Sequence, residues 1–229
     1  MATSLLPKVI LRPSKAPNLP MAPNEYAPQF HEQFSNALRL YFSQVDNANA
    51  AVLGPNGGHY LENPHIAAQN DADQYATGNN IPTLVLWTTL DSISGFTLDP
   101  SGFARADHNG VYKIDFGLQL ANTSNSAHDV YAWLQTNGTV VPGSSSVHTL
   151  PARKSAGVPS YLLAYSSVTF EIQKDDEIRL WWATDLAYNP VGPVAGVYMD
   201  ARPAQTVPYA RPLNPSSVGS IVFVSRLPE

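Results

Sequence analysis

Residues 110–120 read G-V-Y-K-I-D-F-G-L-Q-L, with an apolar side chain at every second position. Tyr112, Ile114, Phe116, Leu118 and Leu120 alternate with polar or small residues. A period of two places the apolar set on one face of a β-strand and the other set on the opposite face. A strand with one buried and one partly solvated face is typical of an antiparallel sheet. The stretch therefore predicts an antiparallel β-domain.

Short runs with similar patterning, separated by turn residues, continue from about residue 81 to the C-terminus. We predict strands at 83–90, 95–98, 103–106, 110–120, 129–135, 139–141, 147–150, 160–172, 177–182, 196–200 and 218–227. The Asn-Gly pairs at 109–110 and 137–138 are hairpin signals. The last strand is nearly all apolar, so we place it centrally, beside 110–120. The expected architecture is mainly β, an antiparallel sandwich with a jelly-roll path or a barrel.

An extended arm is predicted at 1–23. Five prolines exclude a helix there and favour extended backbone. Lys8, Arg12 and Lys15 give the arm a charge of +3 on an acidic chain. The arm either lies along another subunit, with an apolar plug at 9–11, or is a solvated tail, as many termini are.

One amphipathic helix is predicted at 24–47, where apolar residues recur at spacings of three and four. Asn24 is a candidate N-cap, and Pro28 fits only in the first turn. The apolar stripe packs either on the sheet of its own chain or against copies of itself in an oligomer. Residues 48–80 are polar and rich in turn signals, so we predict a linker there and a β-domain at 81–229.

The composition and charge of the chain limit the classes of function that we expect. Charged residues are 14% of the chain, against about 25% in an average globular chain. The low charge indicates either a surface partly covered by neighbours or a neutral polar surface. Net charge is −5 and the chain has no cysteine, so we expect no nucleic-acid partner, no disulfide and no thiolate metal site. No apolar run approaches the ~18 residues of a membrane span, and prolines interrupt the N-terminus where a signal peptide would lie.

No convincing chemical site is visible in the sequence. His59 and His65 lie in a polar segment with loose spacing, which is a weak metal signal. His108 and His128 each neighbour an aspartate, but no G-x-S-x-G motif accompanies them. The acidic run at 175–177 is typical of a solvated turn. We therefore expect no catalytic residue, no cofactor and no metal, and expect that the protein is not an enzyme.

The strands at 110–116 (G-V-Y-K-I-D-F), 130–138 (V-Y-A-W-L-Q-T-N-G), 170–182 (F-E-I-Q-K-D-D-E-I-R-L-W-W) and 220–227 (S-I-V-F-V-S-R-L) resemble the trimeric complement-globular/tumour-necrosis-factor-like jelly roll. The segment at 23–47 is similar to the short helical anchor that precedes such domains in structural proteins of tailed phages. The resemblance covers roughly 23–47 and 81–229. No collagen-like repeat or calcium-site signature is present.

The resemblance implies a homotrimeric phage virion protein, assembled in the host cytoplasm, that serves as a capsid decoration, cement or head-fibre protein. Its partners would be the major capsid protein or proteins of the tail or neck. The implied particle-anchoring residues are Lys8, Val9, Ile10, Leu11, Arg12, Lys15, Phe30, Phe34, Leu38, Tyr41 and Phe42.

The implied trimer interface consists of Tyr131, Trp133, Trp181 and Trp182. The alternative for Trp133 and Trp181 is the core of a single subunit. Adjacent residues on a strand point to opposite faces, so Trp181 and Trp182 cannot both face the core. One of them needs another cover, which favours an oligomer.

The sequence is also compatible with a second function. The domain could be a tail-fibre or receptor-binding module that recognises a host glycan. The loops at 142–160 and 185–217, with Tyr188, Tyr198 and Tyr209, would then supply the aromatic contacts.

Overall fold

The computed structural model describes residues 18–19, 21, 25, 28–53, 63–192 and 194–225, with helix side chains described as far as Asn49. The chain divides into two compact units, Met1–Glu62 and Asn63–Glu229. The first holds a helix and the second a β-sandwich. The predicted arm residues Lys8–Lys15 and the N-cap Asn24 lie outside the described residues.

Helix α1 spans Pro28–Leu53. It begins at Pro28, where a missing backbone N–H costs little, as predicted. It continues beyond the predicted end at residue 47 because Ala48, Ala50 and Ala51 favour the helical state. It ends at Leu53, directly before Gly54 and Pro55, two residues that commonly terminate helices.

The predicted apolar stripe lies on one face of α1. Phe30, Phe34, Leu38 and Tyr41 are each half-buried, and the rings of Phe30 and Phe34 stack with centroids 6.0 Å apart. Phe42 lies off this stripe and is 58% exposed. Between Pro28 and Asn49 no side chain of the helix is fully buried. The helix thus presents a largely accessible aromatic surface.

The second unit contains fourteen strands among its described residues. They are β1 His65–Asn70, β2 Gln74–Tyr75, β3 Thr83–Leu84, β4 Thr89–Ser94, β5 Phe96–Asp99, β6 Phe103–Ala106, β7 Gly110–Asn122, β8 His128–Thr136, β9 Thr139–Val140, β10 Ser146–Leu150, β11 Ser160–Ile172, β12 Glu177–Thr184, β13 Val197–Met199 and β14 Ser217–Ser225.

The strands form two antiparallel sheets of seven. The first sheet has the order β2-β13-β7-β14-β1-β4, and β11 also pairs with β7. The second has the order β10-β8-β12-β6-β5, with β3 on β12 and β9 on β8. The prediction of a mainly β, antiparallel sandwich preceded by an amphipathic helix is confirmed. The barrel alternative is wrong, because the strands divide between two separate sheets.

Strand β7 lies at the centre of the first sheet. Its five alternating residues, Tyr112 through Leu120, are at most 1% exposed and form the middle of the core. The C-terminal strand β14 pairs with β7 over most of its length, so its predicted central position is confirmed. Trp182 and Leu134 close the core from the second sheet.

The predicted linker at 48–80 is wrong from residue 65 onwards, and its residues 54–62 lie outside the described part of the chain. Strand β1 pairs with β14 on one side and β4 on the other, inside the first sheet. In the segment H-I-A-A-Q-N, buried and half-buried residues alternate, but the sequence does not show this alternation. The reason is that the inward residues are Ile66, the small Ala68 and the polar Asn70. Asn70 is 3% exposed and its amide donates to the Leu86 carbonyl at 2.9 Å. A buried asparagine satisfied from a distant segment leaves no signal in a hydropathy pattern.

The two Asn-Gly signals have different outcomes. Asn137 and Gly138 both have positive φ (50° and 78°) and form the hairpin between β8 and β9, as predicted. Gly110 instead begins β7 in the first sheet, whereas β6 belongs to the second, so the hairpin predicted there is wrong. A Cβ at Gly110 would lie 2.6 Å from a ring carbon of Phe223, so close packing explains this glycine.

The predicted strand at 83–90 is also divided. Thr83–Leu84 pairs with β12 in the second sheet, and Thr89–Ser94 belongs to the first. Val85 and Trp87, in the segment between them, are buried in the core. The chain therefore crosses between the sheets within a run that reads as one strand.

Candidate functional site

The predicted trimer-interface residues lie in β8 and β12 of the second sheet. Trp182 is fully buried and points into the core, so its assignment to an intersubunit surface is wrong. Trp133 and Trp181 are direct cross-strand neighbours on the outer face and are both half-buried. Tyr131 lies on the same face and is 42% exposed.

Trp181 receives much of its cover from its own chain. Trp133 lies opposite it on β8 and Leu84 opposite it on β3. Its indole nitrogen is buried and has no hydrogen-bond partner among the described residues. The adjacent tryptophans do face opposite ways, as predicted. We expected a second subunit to cover the outward-facing tryptophan. Neighbouring strands of the same chain largely cover Trp181 instead.

Charged groups elsewhere on this outer face are also paired internally. Glu177 accepts hydrogen bonds from Arg105 at 2.7 Å and from Arg179 at 3.0 Å. The guanidinium of Arg179 lies 4.9 Å from the centroid of the Phe103 ring, a cation–π contact. The second sheet therefore pairs the charges of Glu177, Arg105 and Arg179 within its own chain.

The outer face of the first sheet is different. Leu163 and Tyr165 on β11 are 60% and 56% exposed, and Val218 on β14 is 42% exposed. Gly117 on β7 lies between them, and a Cβ placed there would be 3.2 Å from Val218 and 3.5 Å from Leu163. The missing side chain allows the two strands' apolar groups to approach each other. We call Leu163, Tyr165, Gly117 and Val218 the β11–β14 patch.

Polar neighbours of this patch neutralise one another. The Tyr165 hydroxyl donates to Asp115 at 2.6 Å, and the Lys113 ammonium lies 2.9 Å from the other oxygen of that carboxylate. Burial opposes ionisation of Asp115, but hydrogen bonds from Tyr165, Lys113 and Ser167 outweigh it and lower its pKa. The same carboxylate raises the pKa of Lys113 through its hydrogen bond. The ionised pair is thus stabilised in place.

Strand β11 is an edge strand. Strands β13 and β14 pair with successive parts of one side of β7, and β11 pairs with the whole of the other side. No other described strand pairs with β11. Thirteen residues therefore present one unpaired backbone edge next to the β11–β14 patch. The sequence signal for this surface is the run Y-L-L-A-Y at 161–165, which is apolar on both faces.

A tyrosine cluster lies near the end of the first sheet. The ring of Tyr188 lies 5.8 Å from that of Tyr75 and 5.0 Å from that of Tyr198, and the Tyr75 and Tyr198 rings are 5.7 Å apart. Tyr75 and Tyr188 also line a cavity of about 350 Å³. Tyr188 and Tyr198 were predicted as aromatic contacts and do lie together. Tyr75 was missed because only the pairing of β2 with β13 brings it to them.

The third predicted tyrosine, Tyr209, lines a different cavity of about 410 Å³, together with Tyr161, Arg202 and Arg211. The Arg202 guanidinium stacks 3.8 Å from the centroid of the Tyr161 ring and donates from Nε to Asp200 at 2.7 Å. No described residue of the loop at 142–160 lines either cavity. The predicted glycan-binding loops therefore do not form one site.

A Ser-His-Asp arrangement occurs in and beside the turn between β7 and β8. His128 Nε2 lies 3.0 Å from Ser124 Oγ, and its Nδ1 lies 3.0 and 3.1 Å from the two carboxylate oxygens of Asp185. These contacts follow the order of nucleophile, base and orienting acid. Ser124 is only 7% exposed, however, and its hydroxyl accepts the Ser126 backbone N–H at 3.2 Å. The serine is a turn-stabilising residue of a kind common in such connections.

Across the residues that the structure describes, no group of three or more histidine, aspartate or glutamate side chains is placed to hold a metal ion. Over that same part of the chain, no helix is long and apolar enough to cross a membrane. Comparison with family models and with curated proteins finds no match for this chain.

Proposed function

We propose that this protein is a structural component of a tailed-phage virion, a homotrimeric capsid decoration, cement or head-fibre protein. The observation that carries the proposal is the β11–β14 patch beside an unpaired edge strand. Contiguous exposed apolar surface of this kind marks interaction sites in soluble proteins. Trimeric symmetry and the virion setting come from the resemblance of the strand sequences to the phage versions of the jelly roll.

Self-association explains the patch better than exposure to solvent does. Burial of apolar surface contributes roughly 25 cal/mol per Å² before entropic costs. The Lys113–Asp115 pair beside the patch is already internally paired, so covering it leaves neither charge without a partner. A long unpaired strand edge is also a liability that proteins commonly cover. A neighbouring subunit would protect the edge and the patch together.

The helix and the preceding arm are the proposed attachment to the particle. Phe42 and Leu40 are 58% and 62% exposed, and the stripe of Phe30, Phe34 and Tyr41 is only half-buried. Aromatic helix surfaces of this kind suit a groove on a partner protein. The proposed partners are the major capsid protein or proteins of the tail or neck.

The association surface can be tested on the full chain by size-exclusion chromatography with light scattering. We expect a trimer for the natural protein and monomers for Leu163→Glu, because three carboxylates would be buried at the interface. Val147→Glu is the matched control, since Val147 is 58% exposed on the second sheet next to Tyr131. A monomeric natural protein, or dissociation by Val147→Glu alone, would refute this surface.

The virion role requires a separate test. Immunogold labelling of purified phage particles should place the protein on the head, and a variant without residues 1–23 should remain trimeric but no longer sediment with particles. Label confined to the tail would contradict a head location. Full-strength particle binding by the shortened variant would contradict anchoring through the arm.

A further inference from the structure

The tyrosine cavity has the features of a small-molecule site and plays no part in the proposed association surface. Tyr75 and Tyr188 supply aromatic walls, and Thr77, Asn79, Asn189 and Val194 are among the other lining residues. None of the described lining residues carries a charge. Its volume of about 350 Å³ lies at the lower end of the range for ligand pockets, roughly 300–1,000 Å³.

The aromatic walls are held in place from behind. The Tyr75 hydroxyl donates to Asp73 at 3.1 Å, and the same carboxylate accepts the Ala201 backbone N–H at 2.8 Å. The Tyr198 hydroxyl donates to Asp200 at 3.0 Å, and its ring packs against the other two. Burial, followed by the hydrogen bond to Asp73, raises the pKa of Tyr75 to about 12. The Tyr75 hydroxyl is thus neutral near physiological pH, and the packed rings are preorganised, which lowers the entropic cost of binding.

The two asparagines direct their amide donors away from the backbone. Asn79 Oδ1 accepts the Ala187 N–H at 2.8 Å, and Asn189 Oδ1 accepts the Val191 N–H at 3.0 Å. These contacts fix which end of each side chain is oxygen, since a backbone N–H needs an acceptor. Neither Nδ2 group, nor the Tyr188 hydroxyl, has a hydrogen-bond partner among the described residues. The cavity therefore combines aromatic faces with unpaired neutral hydrogen-bonding groups.

We propose that this cavity binds the terminal ring of a neutral saccharide. The apolar C–H face of a sugar ring would lie on the rings of Tyr75 and Tyr188, and its hydroxyls would accept hydrogen bonds from Asn79 and Asn189. A charged sugar fits less well, because the described lining offers no side chain of opposite charge. The inference goes beyond the structural role and does not rest on trimer formation.

The test is a glycan array probed with the full chain, carrying neutral hexose and N-acetylhexosamine termini beside sialylated and sulfated ones. We expect neutral termini to be bound. Tyr188→Ala should weaken binding at least about tenfold, whereas Tyr188→Phe should weaken it less because the ring is kept. Tyr209→Ala is the matched control, a tyrosine at the other cavity, and should leave binding unchanged.

Val194→Trp gives a second route if Tyr188→Ala is poorly folded. Val194 is 53% exposed at the cavity, so a larger side chain fills the space without removing a core contact. This variant should also abolish binding, with an unchanged circular dichroism spectrum. Absence of neutral binding, or binding that survives both Tyr188→Ala and Val194→Trp, would overturn the proposal. Exclusive binding of acidic termini, lost in Arg211→Ala, would overturn it too by placing recognition at the second cavity.

Discussion

The outer faces of the two sheets arrange their large side chains differently. On the second sheet, Trp133 and Trp181 pack against each other, and the arginines are paired with Glu177. On the first sheet, Leu163 and Val218 both lie beside Gly117 and remain about half exposed. The comparison teaches that large aromatic side chains on an outer face can be covered by their own chain, whereas smaller apolar ones can remain exposed.

The largest expected effect is a difference in stability between alanine variants of the two adjacent tryptophans. Trp182→Ala should destabilise the protein by about 3–5 kcal/mol, because it removes a fully buried indole and leaves a cavity in the core. Trp181→Ala should cost clearly less, since its side chain is only half-buried on the outer face. Urea unfolding followed by tryptophan fluorescence and circular dichroism measures both. Equal losses would contradict the assignment of the two residues to opposite faces.

Alanine substitutions at two glycines test how tightly the inner and outer faces of the first sheet are packed. A Cβ at Gly219 would lie 2.3 Å from the buried Trp87 ring, whereas a Cβ at Gly117 would lie 3.2 Å from Val218 and 3.5 Å from Leu163, both exposed side chains. Gly219→Ala should therefore cost about 1–3 kcal/mol through overpacking. Gly117→Ala should change the free energy of unfolding little, because Val218 is exposed and can shift. A larger loss for Gly117→Ala would show that the outer face is already tightly packed.

A smaller effect is expected at the ion pair beside the β11–β14 patch. The pKa of Asp115 in the folded state lies below its ordinary value of 3.8. Its contribution to stability is therefore present above that pH and is lost as the pH falls through the folded-state pKa. Asp115→Asn should lower the melting temperature modestly at neutral pH, and the difference from the natural protein should shrink below about pH 4.

Glu171→Gln is the control for that measurement. Glu171 lies exposed on β11 and has no ion pair among the described residues. It should have little effect at either pH. A pH-independent loss in Asp115→Asn would indicate that packing, rather than charge, is what the carboxylate contributes.

The smallest effect is expected at the turn that joins the two sheets. Ser124 has the contacts of a catalytic serine but is buried and accepts a backbone N–H. A fluorophosphonate probe should therefore leave the folded protein unlabelled, with a known serine hydrolase as the positive control. Labelling that disappears in Ser124→Ala would show that the proposal of a purely structural role is wrong.

Most of the sandwich could be predicted from the sequence, because apolar and polar residues alternate along strands such as β7, β8 and β11. This alternation marks the buried face of each strand without reference to its partners. The alternation at Tyr112–Leu120 and the Asn137–Gly138 turn need no information from elsewhere in the chain. The prediction from sequence was wrong at β1, because the inward residues of this strand are Ile66, Ala68 and a buried asparagine. The prediction of one strand at 83–90 was also wrong, because the chain crosses from the second sheet to the first within that run. Both errors arise because pairing partners, rather than local pattern, determine what those segments become.

The candidate sites show the same division. The opposite orientation of Trp181 and Trp182 follows from strand geometry and was fixed by their adjacency alone. Which of them faces the core depends on the register between β12 and β8. Tyr188 and Tyr198 stood out as aromatic loop residues, but Tyr75 joins them only through pairing over more than a hundred residues of chain.

The sequence by itself thus determined the fold class, the helix, and the alternation of buried and exposed residues, since each depends on neighbours a few positions away. Only the tertiary structure decided which apolar residues remain uncovered, which tyrosines meet, and which polar groups find partners. Those outcomes depend on strand order and register, and many different strand orders are compatible with the same local patterns.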